Sequence, residues 1–203
     1  MSLFDRSILL ATGLVAIYAL VLFFKEYQKT RALYYIYYML GFGVLLVSGL
    51  LLIFLGWDIL ASPRVLTVAS LIPLGISLGI ANQYYSGWKK YFAWFALIGL
   101  LAIAVTSFTA PGLKKFAVPL FHGVAGFVIF LGPIFAQQSG KAAKGFWWVG
   151  LGGVLIGLGG IALAFISMGT QLLFFSPEFV LKILAPLLLA MTLAFTWGFK
   201  KNL

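Results

Sequence analysis

Seven long apolar runs dominate the chain, and short polar segments separate them. A helix needs about 20 consecutive apolar residues to cross the hydrocarbon core of a bilayer. Segments of about that length lie at residues 7–24, 32–56, 64–82, 91–110, 116–136, 146–168 and 179–199. The pattern predicts an all-α integral membrane protein, folded as a bundle of seven transmembrane helices.

The polar breaks between these spans are short. Residues 25–31 end the first span with a run of charged and polar side chains, and residues 111–115 leave room only for a tight turn between spans four and five. No break is long enough for a soluble domain. We therefore expect a single transmembrane domain over residues 1–203.

Composition excludes a water-soluble globule. Hydrophobic residues make up 63% of the chain and charged residues only 9%, whereas a soluble domain carries about 25% charged residues. The chain has no cysteine. Disulfides, thiolate metal sites and iron–sulfur clusters are therefore excluded as well.

The charges favour one orientation in the membrane. Fourteen Lys and Arg residues stand against four acids, giving a net charge of +10. They cluster between apolar runs, which is typical of membrane anchoring and argues against nucleic acid as a partner. With the N-terminus outside, the inner loops hold Lys25, Lys29, Arg31, Lys89, Lys90, Lys141, Lys144, Lys200 and Lys201, and the outer ones Arg6, Arg64, Lys114, Lys115 and Lys182. The excess predicts a multi-pass protein of the cell or inner membrane with a cytoplasmic C-terminus.

Spans one to three share features with spans five to seven. The matches are Tyr37-Tyr38 with Trp147-Trp148, Ser62-Pro63 with Ser176-Pro177, and Pro73-Leu74 with Pro186-Leu187. They suggest two parallel three-helix repeats joined by span four as a linker, a 3+1+3 arrangement. Chance agreement is the alternative, because Leu, Gly and Val are common throughout the chain.

This 3+1+3 layout resembles the architecture of the sugar-transporting SWEET family and the vitamin-transporting PnuC family. The resemblance concerns the order of the helices. The proline-glutamine signature of those families is missing, and the paired prolines Pro73 and Pro186 fall in spans three and seven.

Small residues line one face of span six. They follow each other at steps of three and four residues, which places them on one side of a helix over four turns: Gly150, Gly153, Gly157, Gly160 and Ala164. Such a face lets another helix approach closely. Two interpretations stay open: packing within the same bundle, or docking of a partner subunit, a lipid or a flat apolar cofactor.

His122 is the only histidine and lies in span five. It could bind a ligand or supply one axial haem ligand, with Met39, Met168 or Met191 as the second. The alternative is a hydrogen bond to a neighbouring helix carbonyl. One histidine excludes bis-His haem and disfavours a polydentate metal site.

Lys182 lies one turn into span seven, where a retinal Schiff base would be conceivable. Such a cation needs a counter-ion, and spans one to six carry no acid at mid-span. The alternative is an ordinary pair with Glu178 at the membrane surface. No catalytic constellation can be assembled from the remaining groups, so we do not expect an enzyme.

Polar residues for a solute path are few. The candidates for solute or ligand contacts are His122, Asn82, Thr192 and Trp197. The hydroxyl groups on spans three and seven could equally satisfy carbonyls of their own helices.

Three functions fit these features. The first is a non-catalytic subunit or scaffold packed in a larger membrane complex, for example a respiratory or other energy-transducing one. The second is a channel or uniporter for a small neutral or apolar solute, built from two three-helix repeats. The third is a protein that holds lipid, quinone or carotenoid between its helices; no other cofactor is expected. The expected partners are the lipid bilayer and other membrane subunits or further copies of the chain.

Overall fold

The computed structural model describes residues 1–167 and 176–203, and the side chains of Pro111 and of residues 164–167 are not part of that description. The described chain is helical and contains no strand. Its helices are α1 (Leu3–Thr30), α2 (Leu33–Leu55), α3 (Pro63–Ala69), α4 (Leu71–Tyr84), α5 (Lys89–Thr109), α6 (Pro111–Gln138), α7 (Trp147–Ser167) and α8 (Pro177–Asn202), with a 3₁₀ turn at Trp57–Ala61 between α2 and α3.

Six segments of the described chain are long and apolar enough to cross a membrane. They are α1, α2, α3 with α4, α5, α6 from Gly112 onwards, and α8. The apolar part of α7, Trp147–Leu163, is shorter, and residue 168, the predicted end of span six, lies outside the described residues. The prediction of an all-helical, multi-pass membrane bundle is confirmed at this level.

Several helices extend beyond the apolar runs into the predicted breaks. α1 continues through the polar residues after Phe24 and ends at Thr30, where Arg31 adopts a left-handed conformation with a φ of 55°. The break predicted at residues 111–115 lies at Ala110 instead, between the end of α5 and the start of α6 at Pro111. Proline is favoured at the first position of a helix, since its missing N–H would have no partner inside the helix.

The third span is interrupted for one residue, about a third of the way along it, although Ser70 keeps a right-handed helical conformation. α3 ends at Ala69 and α4 begins at Leu71, with Ser70 between them. The Ser70 hydroxyl donates to the carbonyl of Thr67 at 2.6 Å. Pro73 follows and has no N–H to continue the helical hydrogen bonds, so the proline accounts for the interruption. Pro186, in contrast, lies inside the continuous helix α8.

Six of the spans form a closed ring. α1 packs against α2, α2 against α4, α4 against α6, α6 against α7, α7 against α8, and α8 against α1. α5 lies outside this ring and contacts α3, α4 and α6. Nine basic residues share one end of the bundle, called here the basic end: Lys25, Lys29, Arg31, Lys89, Lys90, Lys141, Lys144, Lys200 and Lys201.

At the basic end, a cluster of buried aromatic side chains fills the space enclosed by the ring of helices. This cluster, called here the aromatic plug, comprises Phe23, Tyr38, Phe42, Phe146 and Phe199, each at most 3% exposed. The Phe199 ring lies 4.4 Å from Tyr38, 5.1 Å from Phe23 and 5.8 Å from Phe146 between centroids. The plug therefore joins α1, α2, α8 and the segment before α7. Each aromatic pair contributes about 0.5–1.5 kcal/mol beyond the area it buries.

Glycines bring helix backbones into direct contact at two places in the ring. A Cβ atom at Gly75 of α4 would lie 3.0 Å from the Tyr37 carbonyl oxygen of α2. A Cβ atom at Gly198 of α8 would lie 2.6 Å from the Val149 nitrogen of α7. Because lipid tails remove the hydrophobic drive between helices, such close packing is a main source of their association.

Replacing Gly198 with alanine should destabilise the bundle. The added methyl group would collide with the α7 backbone, and overpacking of this kind costs about 1–3 kcal/mol. We expect a drop of several degrees in the apparent Tm of the purified protein in detergent. Gly43→Ala is the matched control, because no described atom lies within 4 Å of a Cβ at that position. Equal Tm values for both variants would contradict the α7–α8 contact.

Candidate functional site

The predicted solute contacts on α4 and α8 do not share one cavity. Asn82 is half-buried, and no hydrogen bond of its side chain is found among the described residues. Thr192 is fully buried and donates to the Leu188 carbonyl at 2.7 Å. Trp197 is 47% exposed, with the Lys201 ammonium 4.8 Å from its ring centroid. The indole of Trp197 therefore faces the surroundings of the bundle, while Thr192 faces its interior.

His122 makes its hydrogen bond within its own helix. Its Nδ1 atom lies 3.1 Å from the Val118 carbonyl oxygen. Met191 is fully buried in the main core cluster, and Met39 packs against the edge of that cluster. Met168 lies outside the described residues. The described residues include no group of three or more His, Asp or Glu side chains that could hold a metal ion.

The small-residue face of α7 divides into two parts. Gly150 and Gly153 pack tightly on α6: Cβ atoms there would lie 2.6 Å from the Phe130 carbonyl oxygen and 2.8 Å from Ile129 Cγ2. Near Gly157 and Gly160 no described atom lies within 4 Å of the corresponding Cβ position. The side chain of Ala164 lies outside the described residues. Half of the predicted docking face is thus occupied by the bundle's own α6.

A second glycine row on α7 was missed by the sequence reasoning. Gly152 packs directly against the Phe195 ring of α8, and a Cβ at Gly159 would lie 2.7 Å from Leu187 Cδ2. These two glycines are seven residues apart, a spacing that returns to the same helix face and could have revealed the row. α7 is therefore clamped between α6 and α8 by glycines on two of its faces.

Side-chain amides tie the basic end together. Asn202 of α8 donates to the Tyr84 hydroxyl of α4 and accepts from the Ala143 N–H at 2.8 Å. The Tyr38 hydroxyl of α2 donates to Gln83 Oε1 at 2.8 Å. We call the Tyr84–Asn202–Ala143 connection the latch. It joins distant parts of the chain, and no local sequence pattern could have predicted it.

The connection between α6 and α7 is folded onto the plug. Gln137 Oε1 accepts from the Gly145 N–H at 2.8 Å, and Gly140 and Gly145 have φ values of 71° and 99° that favour glycine. This turn buries the Phe146 ring 5.2 Å from the ring of Tyr84. The connection therefore packs against the basic end of the ring of helices and does not extend away from it.

The opposite end of the bundle carries a surface cleft. Its volume is about 560 Å³; it lies between the start of α1, the 3₁₀ turn and the start of α8, and its lining includes Asp5, Trp57, Glu178 and Lys182. Asp5 is buried and accepts from the Ser2 N–H and hydroxyl, each at 2.8 Å. Glu178 and Lys182 form no ion pair in the described part of the chain. The pair predicted between them is therefore not formed.

Between the cleft and the plug, the polar groups are hydroxyls. Ser77 donates to the Pro73 carbonyl at 2.6 Å, as Thr192 does to Leu188. The Thr196 hydroxyl oxygen is buried without a partner among the described residues, as is that of Ser107 on α5, outside the ring. Such an interior can accommodate neutral or apolar groups, whereas a charged group would lack a counter-charge there.

Comparison with protein-family models, with curated proteins and with solved structures gives no match for this chain. Any conclusion about the function of this protein therefore depends on its geometry alone.

Replacing Gln137 with alanine should loosen the connection between α6 and α7. The half-buried Gly145 N–H would lose its acceptor, and the loss of a hydrogen bond of this kind costs about 0.5–1.5 kcal/mol. We expect a lower apparent Tm and faster proteolysis between residues 139 and 146. The neighbouring Gln138 is exposed and makes no described hydrogen bond, so Gln138→Ala should leave both readouts unchanged. A similar loss in the two variants would contradict the role given to Gln137.

Proposed function

We propose that this protein is a passive membrane carrier, a uniporter for a small neutral or apolar solute, built from two parallel three-helix repeats. α1 to α4 would form the first repeat, α5 the linker, and α6 to α8 the second repeat. The observation that carries the proposal is the order of contacts in the ring. α1–α2–α4 is followed by α6–α7–α8 with the same neighbour relations, and the two seams α4–α6 and α8–α1 close the ring.

Helix lengths and starting points support the repeat. α1 and α6 both contain 28 residues. The separation between the starts of α2 and α7, at Leu33 and Trp147, equals that between the starts of α3 and α8, at Pro63 and Pro177. The starts of α1 and α6 are 108 residues apart, so the equal spacing concerns the second and third helices of each half.

A related contact occurs in both halves. The Tyr38 ring of α2 packs on Gly79 of α4, and the Phe195 ring of α8 packs on Gly152 of α7. When the helix starts of the two halves are aligned, Tyr38 of α2 corresponds to Gly152 of α7. In the same alignment, Gly79 of α4 corresponds to a position close to Phe195 of α8. Each half thus has one aromatic ring seated on one glycine at corresponding levels, with the two partners exchanged. This register pairs Tyr38 with Gly152, one turn away from the pairing with Trp148 that the sequence motifs suggested.

The two ends of the bundle support a carrier with one closed gate. The plug and the latch close the basic end, while a cleft of about 560 Å³ lies at the opposite end, beside the starts of α1 and α8. The third span is interrupted at Ser70, and α8 contains Pro186 in the other half. Interrupted or proline-containing spans in corresponding positions of two repeats are typical of transporter binding regions.

A non-catalytic subunit or scaffold of a larger membrane complex is the second candidate. The part of α7 around Gly157 and Gly160 has no described neighbour and could receive a helix of a partner or of another copy. Leucine at both positions would then block this surface. A stoichiometric partner seen in native mass spectra of the protein extracted in mild detergent should be absent from the spectra of that variant. A bound quinone or carotenoid would appear in an absorbance scan of the same sample.

Flux measurements test the carrier. Proteoliposomes should take up urea or glycerol faster than protein-free vesicles in stopped-flow light scattering. Asn202→Ala removes the latch, and the loss of hydrogen bonds worth about 1 kcal/mol each should open the basic end more often and raise the flux about fivefold or more. Trp197→Ala should leave the flux unchanged, because the indole faces outwards. Wild-type flux equal to that of empty vesicles for both solutes would contradict the carrier proposal.

The proposed orientation, with the basic end in the cytoplasm, can be tested with single cysteines because the chain contains none. Ala61 is exposed near the cleft end, and Gln138 is exposed at the basic end. We expect a membrane-impermeant maleimide to label Ala61→Cys in intact cells and Gln138→Cys only after permeabilisation. The reverse pattern would overturn the orientation.

A further inference from the structure

Four lysines converge where the connection between α6 and α7 meets the end of α8. This group, called here the lysine patch, consists of Lys141, Lys144, Lys200 and Lys201, all of which are exposed. Two come from the connection and two from the last turn of α8. Like charges brought together in this way repel one another unless an anion balances them.

Described contacts hold the two pairs of lysines side by side. The Ala143 N–H, between the two lysines of the connection, donates to Asn202 Oδ1 at 2.8 Å, directly after the lysines of α8. A Cβ at Gly145 would lie 3.4 Å from Lys201 Cγ. These contacts fix the backbone of the connection against the last turn of α8, so the two pairs of lysines stay neighbours.

The chain supplies no acid to balance the patch. Its four acidic residues are Asp5, Glu26, Asp58 and Glu178. Asp5, Asp58 and Glu178 lie at the opposite end of the bundle, and Glu26 pairs with Lys29. The counter-charge of the lysine patch must come from another molecule.

Aromatic side chains beside the patch indicate where that molecule lies. The Lys201 ammonium is 4.8 Å from the Trp197 ring centroid, and Lys200 is 5.7 Å from that of Tyr18. Trp197 and Trp147 are both more than 40% exposed, and Trp147 stacks on Trp148 at 4.5 Å. Exposed tryptophan and tyrosine mark the level of lipid headgroups. The lysines are thus placed at headgroup level, next to apolar surface that acyl chains can cover.

We propose that the lysine patch binds the headgroup of an anionic phospholipid that carries two phosphates, of the diphosphatidylglycerol type. Each pair of lysines would neutralise one phosphate, and the exposed aromatic rings would contact the acyl chains. A soluble anion would satisfy the charges but would leave this apolar surface uncovered. The binding requires no transport activity, so it stands apart from the carrier proposal.

Native mass spectrometry of the full-length protein, titrated in detergent with tetraoleoyl cardiolipin or dioleoyl phosphatidylglycerol, tests the proposal. We expect cardiolipin adducts at a lower lipid concentration than phosphatidylglycerol adducts at equal phosphate. Lys141→Gln/Lys144→Gln and Lys200→Gln/Lys201→Gln should each weaken the apparent cardiolipin affinity about thirtyfold, because each variant removes two lysines and a surface lysine contributes about 1 kcal/mol to binding an anionic headgroup. Lys89→Gln/Lys90→Gln makes the same charge change at the same end and should have little effect.

Three results would overturn the assignment. Equal losses in the control and patch variants would show attraction by net charge alone. Equal affinity for the two lipids at matched phosphate concentration would show that the patch does not require a headgroup with two phosphates. Displacement of cardiolipin by an equal concentration of soluble pyrophosphate would show that the patch recognises a free anion.

Discussion

Direct contact between helix backbones at glycine is the interaction on which this structure depends. In lipid, every backbone N–H and carbonyl must be satisfied inside its own helix, so the helices exist before they associate. Apolar side chains gain little free energy by exchanging lipid contacts for contacts with another helix. The free energy of helix association therefore has to come from close packing. At Gly75 and Gly198 this approach is so close that even a methyl group would meet backbone atoms. These contacts fix α2 against α4 and α7 against α8, and the ring closes around them.

The two ends of the ring then differ for reasons visible in the sequence. At the basic end, large aromatic side chains such as Phe23 and Phe199 fill the space that the glycines leave, and amide groups such as that of Asn202 satisfy the remaining polar atoms. At the other end the helices start at serine and proline residues around a cleft. The filled basic end and the cleft at the other end form the asymmetry on which the carrier proposal rests.

The sequence predicted an all-helical membrane bundle, and six of its seven predicted spans are long and apolar enough in the described chain to cross a membrane, because a bilayer imposes a length and an apolar character that can be counted directly. It did not predict where the helices end: polar residues such as those after Phe24 continue α1 at the membrane surface, and Pro111 starts α6. The glycine face at Gly150 and Gly153 was recognised, but the sequence could not tell whether α6 or a partner covers it. The latch at Asn202 and Tyr84 joins residues far apart in the chain, so it could only follow from the fold. Of the predicted solute contacts, Thr192 faces the core, whereas Trp197 faces outwards. The sequence pattern of an apolar helix does not tell which of its faces is turned towards the core.

The central claim is that the aromatic plug is the closed gate of a carrier. A reversible cross-link tests it most directly, since the chain has no native cysteine and the rings of Tyr38 and Phe199 lie only 4.4 Å apart. Cysteines at both positions, joined in proteoliposomes by a bis-methanethiosulfonate reagent that spans the space left by the two rings, should stop solute flux, and a reductant that cleaves the link should restore it. The single-cysteine variants should be insensitive to both treatments. Flux that continues unchanged with the two cysteines linked would contradict a gate at this position.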